Sequence, residues 1–227
     1  MQANYNEAEL TGIASSINGG GSQQFTTKKL FGIRFFAGAS VNYNTATFTG
    51  LIAFPKNAVV VPKISIGMDF LTNKNIQSLY LRAEISYSSS QYKLYSDGSN
   101  FSFGGNPYSF NFKQSTISLS PQLVYNIYNT DKFKFFINGS ILFNLSSYDN
   151  YNVFVHYSTS TEPFVVKNYP SLEKTWITFG LKTGILLNKK LEIFASYIVP
   201  QSITTFVSSQ GKVETIAGGL NYLFGAK

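Results

Sequence analysis

Apolar and polar residues alternate along most of this chain, which is typical of β-strands that separate two environments. The clearest segment runs from about Ser115 to Tyr128, and a similar one follows the short turn at residues 129–132. The same period recurs before and after this pair, so the pattern predicts eight antiparallel strands. They cover approximately residues 31–44, 63–70, 79–88, 115–128, 133–146, 177–188, 191–199 and 215–224.

The connections between these strands alternate in length, which predicts an up-and-down barrel with short turns at one end and long loops at the other. Closure of the first strand on the last leaves no unpaired edge. Short connections are predicted at 71–78, 129–132 and 189–190, long ones at 49–60, 96–108 and 151–174, and an intermediate one at 206–212. Residues 1–27 are predicted as a flexible tail and residues 28–227 as the barrel domain.

The polar face decides which way the barrel faces. A soluble lipocalin-like barrel would turn its apolar face inward around a lipid ligand, whereas a transmembrane barrel turns that face to the bilayer. The polar face is mostly Ser, Thr, Asn and Gly, which suits a narrow interior better than a water-exposed surface. Its few charges have both signs, so we expect them to pair as a structural network without an open pore. These are Arg34, Lys63, Asp69, Arg82, Glu84, Lys182 and Glu192.

Composition supports an all-β transmembrane barrel of eight antiparallel strands. Charged residues make up 13% of the chain and aromatic residues 16%, whereas soluble domains carry about 25% charged residues. No apolar stretch is long enough for a transmembrane helix. There is no cysteine, and the basic residues behind the net charge of +7 are scattered, so neither a thiolate metal site nor a nucleic-acid surface is expected.

Aromatic residues near the predicted strand ends indicate girdles at the two membrane interfaces. They are Tyr43, Phe48, Tyr87, Tyr92, Tyr125, Tyr128, Phe133, Tyr197, Tyr222 and Phe224. The opening MQANYNEAEL has no basic region followed by an apolar core. A bacterial outer-membrane protein needs a secretion signal, so we expect this sequence to be a mature or cropped form.

With these patterns, residues 28–224 resemble the outer-membrane β-barrel domain of the OmpA/OmpX and PorT-like type. The C-terminal strand carries a sharper motif, because Gly219, Tyr222 and Phe224 fit the family's barrel-assembly signal, although Ala217 replaces a polar residue. The resemblance implies a location in the outer membrane of a Gram-negative bacterium, contact with its lipid, and recognition by the barrel-assembly machinery. It also implies a structural or envelope-complex role, with a PorT-like secretion accessory as the alternative.

Candidate chemistry is sparse. Some small outer-membrane barrels modify lipid A, and they need a histidine with Ser or Asp at the outer rim. The chain has one histidine, His156, next to Ser158 and Ser160, so such a hydrolase remains conceivable but a solvated side chain is the simpler interpretation. We expect no catalytic residue, cofactor or metal, and we expect any protein partner to contact the loops 49–60, 96–108 and 151–174.

Overall fold

The computed structural model describes residue 12 and residues 31–50, 53–73, 77–99, 102–205 and 209–225. These residues form a closed antiparallel barrel of eight strands, so the predicted fold class is confirmed. A ninth short strand, β6, lies outside the closed wall. The strands are β1 (Gly32–Gly50), β2 (Phe54–Leu71), β3 (Leu79–Ser96), β4 (Tyr108–Asn129), β5 (Phe133–Val155), β6 (Phe164–Lys167), β7 (Thr175–Leu187), β8 (Leu191–Ser202) and β9 (Ser209–Phe224), with a 3₁₀ turn at Ser102–Gly105.

Each wall strand pairs with its neighbour in sequence, except that β5 passes over β6 to pair with β7. The barrel closes between β1 and β9, where Phe35 lies opposite Phe224. Among the described residues, strand β6 pairs only with residues 152–155 of β5. Within the described part of the chain, no helix is long and apolar enough to cross a membrane.

Three predicted connections need correction. The loop predicted at 49–60 is wrong, because β1 continues to Gly50 and β2 already begins at Phe54. The connection predicted at 206–212 is shorter, because β9 begins at Ser209, and β5 takes residues 151–155 from the longest predicted loop. The connections at 72–78, 130–132 and 188–190 lie at one end of the barrel, called the turn end here, and those at 51–53, 97–107, 156–174 and 203–208 lie at the other, the loop end. The predicted tail, residues 1–27, lies outside the described residues apart from residue 12.

A belt of exposed apolar side chains surrounds the middle of the barrel. Leu81, Ile64 and Leu181 have 56–63% of their surface exposed, whereas Arg82 and Glu84 in the interior are 1% and 3% exposed. With a rise of about 3.3 Å per residue and a tilt near 40°, residues 79–87 of β3 cover about 20 Å of thickness. A continuous apolar belt of this height is far larger than water-soluble proteins expose. The predicted orientation is confirmed, and the barrel spans a bilayer.

The alternation inverts towards the loop end, and this inversion explains the missed strand extensions. On β4, Ile117 and Leu119 point outward and Ser118 points inward, but above Gln114 the outward residue is Lys113 and the inward one is Phe112. Strand β4 therefore continues above the lipid as part of a water-exposed barrel with an apolar core. The sequence pattern of this part is that of a soluble barrel.

The girdle prediction holds for most of its residues and is wrong for two. Tyr43 and Tyr87 are exposed on the loop-end side of the belt, and Tyr128 is exposed at its turn end. Phe48 and Tyr92 are instead 1% and 0% exposed, because they point into the apolar core above the membrane. The other exposed members of the predicted girdles are Tyr125, Phe133, Tyr197, Tyr222 and Phe224.

Glycines on the inner face make room for aromatic rings on the neighbouring strand. Gly67 pairs with Phe36, and a Cβ at Gly67 would lie 2.4 Å from the Phe36 Cζ atom and 2.3 Å from the Ala83 carbonyl oxygen. Gly219 pairs with Phe194, whose Cζ would be 2.7 Å from an added Cβ. These glycines let the rings lie close to the backbone of the wall.

We predict that Gly67→Ala lowers the free energy of unfolding by about 1–3 kcal/mol, because the added methyl group displaces the Phe36 ring. Gly139→Ala is the matched control, since an added Cβ at this outward-facing glycine meets nothing within 4 Å. Its effect should stay within about 0.5 kcal/mol. Urea unfolding of the barrel in lipid vesicles measures both, and equal losses for the two variants would contradict this role of Gly67.

Candidate functional site: the sealed lumen and the exposed hairpin

A four-residue ion network fills the lumen towards the turn end. Arg82 forms a bidentate ion pair with Glu192, in which both N···O distances are 2.8 Å. Its Nε atom also donates to Asp69 Oδ1 at 2.6 Å. Arg34 binds the same aspartate through Nη2 at 2.7 Å. Two cations and two carboxylates thus neutralise one another where an unpaired ion would be costly.

A second network lies around Glu84, two residues further along β3. Its carboxylate accepts hydrogen bonds from Lys182 at 2.9 Å, from Gln122 at 3.0 Å and from Lys63 at 3.3 Å. The structure therefore brings all seven sequence-predicted interior charges into ion pairs, divided between two networks. Strands β1, β2, β3, β7 and β8 supply them, so the networks connect opposite walls across the lumen.

The buried cations also stack on the glycine-supported rings. The Arg82 guanidinium lies 4.5 Å from the centre of the Phe36 ring, and the Lys182 ammonium lies 4.6 Å from that of Phe194. Such cation–π contacts stabilise a desolvated cation, because the face of the ring is electronegative. Gly67 and Gly219 thus support the networks indirectly, because each allows the ring beneath the cation to lie against the wall.

Above the networks, mostly neutral polar side chains, together with Lys63 and a few apolar residues, line a small cavity of about 50 Å³. Asn44 donates to Ser90 and accepts from Thr215, and Ser118 donates to Asn144, so hydrogen bonds connect its walls. The volume has room for a few water molecules and for no larger solute.

An aromatic cap, centred on Phe48, Phe54, Phe110, Phe112 and Tyr92, closes the lumen at the loop end. The Phe48 ring lies 5.5 Å from that of Phe110 in an edge arrangement, and Tyr92 stacks on Phe112 at 4.7 Å. All five residues are at most 4% exposed. Such close packing of buried rings leaves little room for water between them.

The segment at residues 171–173 completes the cap on the side where the wall is lowest. Strands β7 and β8 extend less far towards the loop end than β1–β5 do. The segment at residues 171–173 covers the side of the core that these shorter strands leave open, and it pairs with residues 203–205. Its Leu172 joins the apolar core together with Ile203. The Tyr148 hydroxyl donates to the Glu173 carbonyl oxygen at 2.9 Å and fixes the segment to β5.

The exposed arm, residues 152–167, consists of the upper end of β5, the connecting loop and β6. It presents apolar side chains to solvent: Phe164 is 58% exposed, Tyr157 39% and Val165 37%. The rings of Tyr157 and Phe164 lie 6.5 Å apart. These three side chains form an exposed apolar cluster on a water-facing hairpin.

Sequence reasoning missed two features of the lumen. Lys134 is 2% exposed and its ammonium donates to the Asn129 side-chain oxygen at the turn end. The sequence did contain a signal for Lys134, because this residue lies on the polar face of the alternating pattern. The aromatic cap was also missed, because Phe110 and Phe112 fall where the inverted pattern begins, and their alternation with polar residues does not by itself reveal the change of environment.

The remaining candidate residues lie apart from the lumen networks. His156 is exposed, and among the described residues its imidazole binds no hydroxyl or carboxylate. The described residues also contain no group of three or more His, Cys, Asp or Glu that could hold a metal ion. Tyr222 and Phe224 point outward into the belt, whereas Gly219 faces inward beneath Phe194. Their recognition by the assembly machinery stays a prediction.

We predict that Arg82→Gln destabilises the barrel by about 3–5 kcal/mol, because Asp69 and Glu192 then lose a buried partner. Lys56→Gln is the control, since Lys56 pairs with Glu214 at 3.5 Å on the exposed rim. Loss of such a surface pair should cost about 0–1 kcal/mol. Urea unfolding in vesicles distinguishes the two, and a small effect of Arg82→Gln would show that the network does not stabilise the fold.

Comparisons show a likeness of fold to outer-membrane barrels. Neisserial surface protein A is 18% identical, with a TM-score of 0.45 and coverage of 84% of this chain and 97% of that one. OprG of Pseudomonas aeruginosa is 10% identical (TM-score 0.42, 86% and 97%), and Ail of Yersinia pestis is 11% identical (0.38, 84% and 99%). No family model and no curated protein matches the chain. A closed, even-stranded antiparallel barrel with an apolar exterior is nevertheless the architecture of bacterial outer-membrane proteins, and the predicted eight-stranded barrel and outer-membrane location are confirmed.

Proposed function

We propose that this protein is a non-conducting outer-membrane barrel that holds a rigid protein-binding arm at the cell surface. The observation that carries the proposal is the contrast between the two ends of β5. Its lower part lies in a wall around a lumen filled by ion networks and the aromatic cap, and its upper part ends in the exposed apolar arm. Outer-membrane barrels place short turns in the periplasm and long loops outside, so the arm faces the exterior.

The filled lumen supports a role without transport. A solute crossing the barrel would have to separate Arg82 from Asp69 and Glu192, which are all at most 1% exposed, and then part the rings of the cap. Each step breaks several buried contacts that have no replacement partner. Two independent barriers in series make conduction through this barrel unfavourable.

The arm is also the best binding surface among the three loops that the sequence suggested for partner contacts. The connection at 51–53 is short, and the Phe103 ring of the 97–107 connection packs on Tyr108 at 5.1 Å. Residues 156–167 keep Tyr157, Phe164 and Val165 exposed. A partner with a complementary apolar surface would bury these side chains, and loops on a rigid scaffold are common binding elements.

This binding role is non-catalytic and is compatible with an accessory position in a secretion or envelope complex. Among the residues that the structure describes, the exposed imidazole of His156 has no oriented partner of the kind that hydrolysis requires. A surface receptor and a complex accessory would use the same arm, and the identity of the bound protein distinguishes them.

We predict that the purified barrel gives no discrete conductance steps in planar bilayers. Arg82→Gln should also stay closed, because the cap persists, and truncation of Phe110 and Phe112 to alanine should stay closed because the ion networks persist. Single-channel recording, with a known porin as the positive control, checks all three proteins. Reproducible ohmic steps from the wild type would refute the proposal of a sealed barrel.

We predict that a photo-cross-linking residue at Phe164 captures a specific protein on intact cells, and that the same residue at Gln91 captures none. Gln91 is exposed on β3, outside the arm. The double variant Tyr157→Ser/Val165→Ser should abolish capture at position 164 without changing the heat-modifiable gel mobility of the folded barrel. Equal capture at both positions, or capture that survives the double variant, would remove the arm from the proposed function.

A further inference from the structure

The turns at the turn end carry an uneven charge. The connection at 130–132 and the one at 188–190 hold Lys132, Lys189 and Lys190, with Asp131 as their single carboxylate. The other turn, between β2 and β3, has a single charged residue in its sequence, Lys74. We call Lys132, Lys189, Lys190 and Asp131 the basic corner, and its net charge is +2 from three cations and one anion.

The two turns of the basic corner are fixed to each other. The Asn188 N–H donates to the Lys132 carbonyl oxygen at 2.8 Å, and Lys189 Nζ lies 2.7 Å from Asp131 Oδ1. The hydrogen bond from Lys189 holds the pKa of the Asp131 carboxyl below its usual range, so this carboxylate stays ionised at neutral pH. Lys132 and Lys190 are left without a carboxylate partner among the described residues.

The basic corner lies at the depth of lipid headgroups. Phe133 follows Lys132 directly, and its ring packs 5.8 Å from that of Tyr128, with both side chains exposed on the outer surface. Leu191, which follows Lys190, is also exposed on the outer surface. Aromatic residues of this kind mark the membrane interface. Lysines at the edge of an apolar outer surface can bind a lipid phosphate while the acyl chains of the same lipid contact that surface.

We propose that the basic corner selectively binds the headgroups of anionic phospholipids in the leaflet at the turn end. The unpaired charges of Lys132 and Lys190 attract the phosphodiester, and the rings of Tyr128 and Phe133 contact the lipid below it. Three of the four lysines in the sequences of the turns 72–78, 130–132 and 188–190 belong to the basic corner, so the attraction is greatest on that side of the barrel.

The test measures lipid selectivity in reconstituted vesicles by electron spin resonance, with spin-labelled phosphatidylglycerol compared with spin-labelled phosphatidylcholine. The wild-type barrel should prefer the anionic lipid. Lys132→Gln/Lys190→Gln should lower the preference by about fivefold for each lysine removed, since each interfacial lysine contributes about a factor of five. High salt should weaken the wild-type preference in the same direction.

Two further variants make the result specific. Lys93→Gln/Lys113→Gln removes two exposed lysines from strands near the opposite end, and it should retain the preference. Asp131→Asn releases Lys189 from its carboxylate and should raise the preference above that of the wild type. Wild-type selectivity in Lys132→Gln/Lys190→Gln, an equal loss in Lys93→Gln/Lys113→Gln, or a loss in Asp131→Asn would overturn the proposal. Circular dichroism confirms that each variant is folded.

Discussion

The narrow lumen of an eight-stranded barrel is the constraint on which the rest of this structure depends. Closure satisfies every wall strand with two neighbours, as a lipid environment requires, but it leaves an interior that inward side chains must fill. This chain fills it with different chemistry at successive heights: ion pairs around Arg82 and Glu84, then hydroxyl and amide groups, then aromatic rings. The chemistry of the inward side chains changes with height in the barrel, while the membrane-facing belt stays apolar.

The fold could be predicted from sequence because lipid imposes one rule on every outward position. Ile117, Leu119 and Leu123 are unambiguous on β4, and the same rule gave the pairing charges of the inner face. Outward residues are apolar only within the height of the lipid belt. Above Gln114 both faces exchange their chemistry, so Phe48 and Tyr92 were assigned to the interface although they lie in the core, and the strand between 54 and 60 was assigned to a loop.

The arm and the ion pairing show a second limit of sequence reasoning. The predicted list of interior charges was correct in its members, but their division into a neutral group around Arg82 and a lysine-rich group around Glu84 depends on register across the barrel, such as Arg82 reaching Glu192 on β8. Similarly, only coordinates distinguish Phe103, whose ring packs on Tyr108, from Phe164, which is exposed on the arm. Gly219 is a further example. The sequence placed it in an assembly signal, whereas the coordinates show that the folded barrel also requires a glycine there, because the Phe194 ring packs against it.

The continuity of β5 has a mechanical consequence. This strand runs without interruption from Phe133 at the turn end to Val155 at the base of the arm, and most of its length is hydrogen-bonded on both sides. A force pulling the arm away from the cell would act nearly along the strand and would load many ladder hydrogen bonds in shear at the same time. Rupture would then require their simultaneous failure, in contrast to the sequential opening of a peeled hairpin. Anything tethered to this arm is anchored by the whole height of the barrel wall.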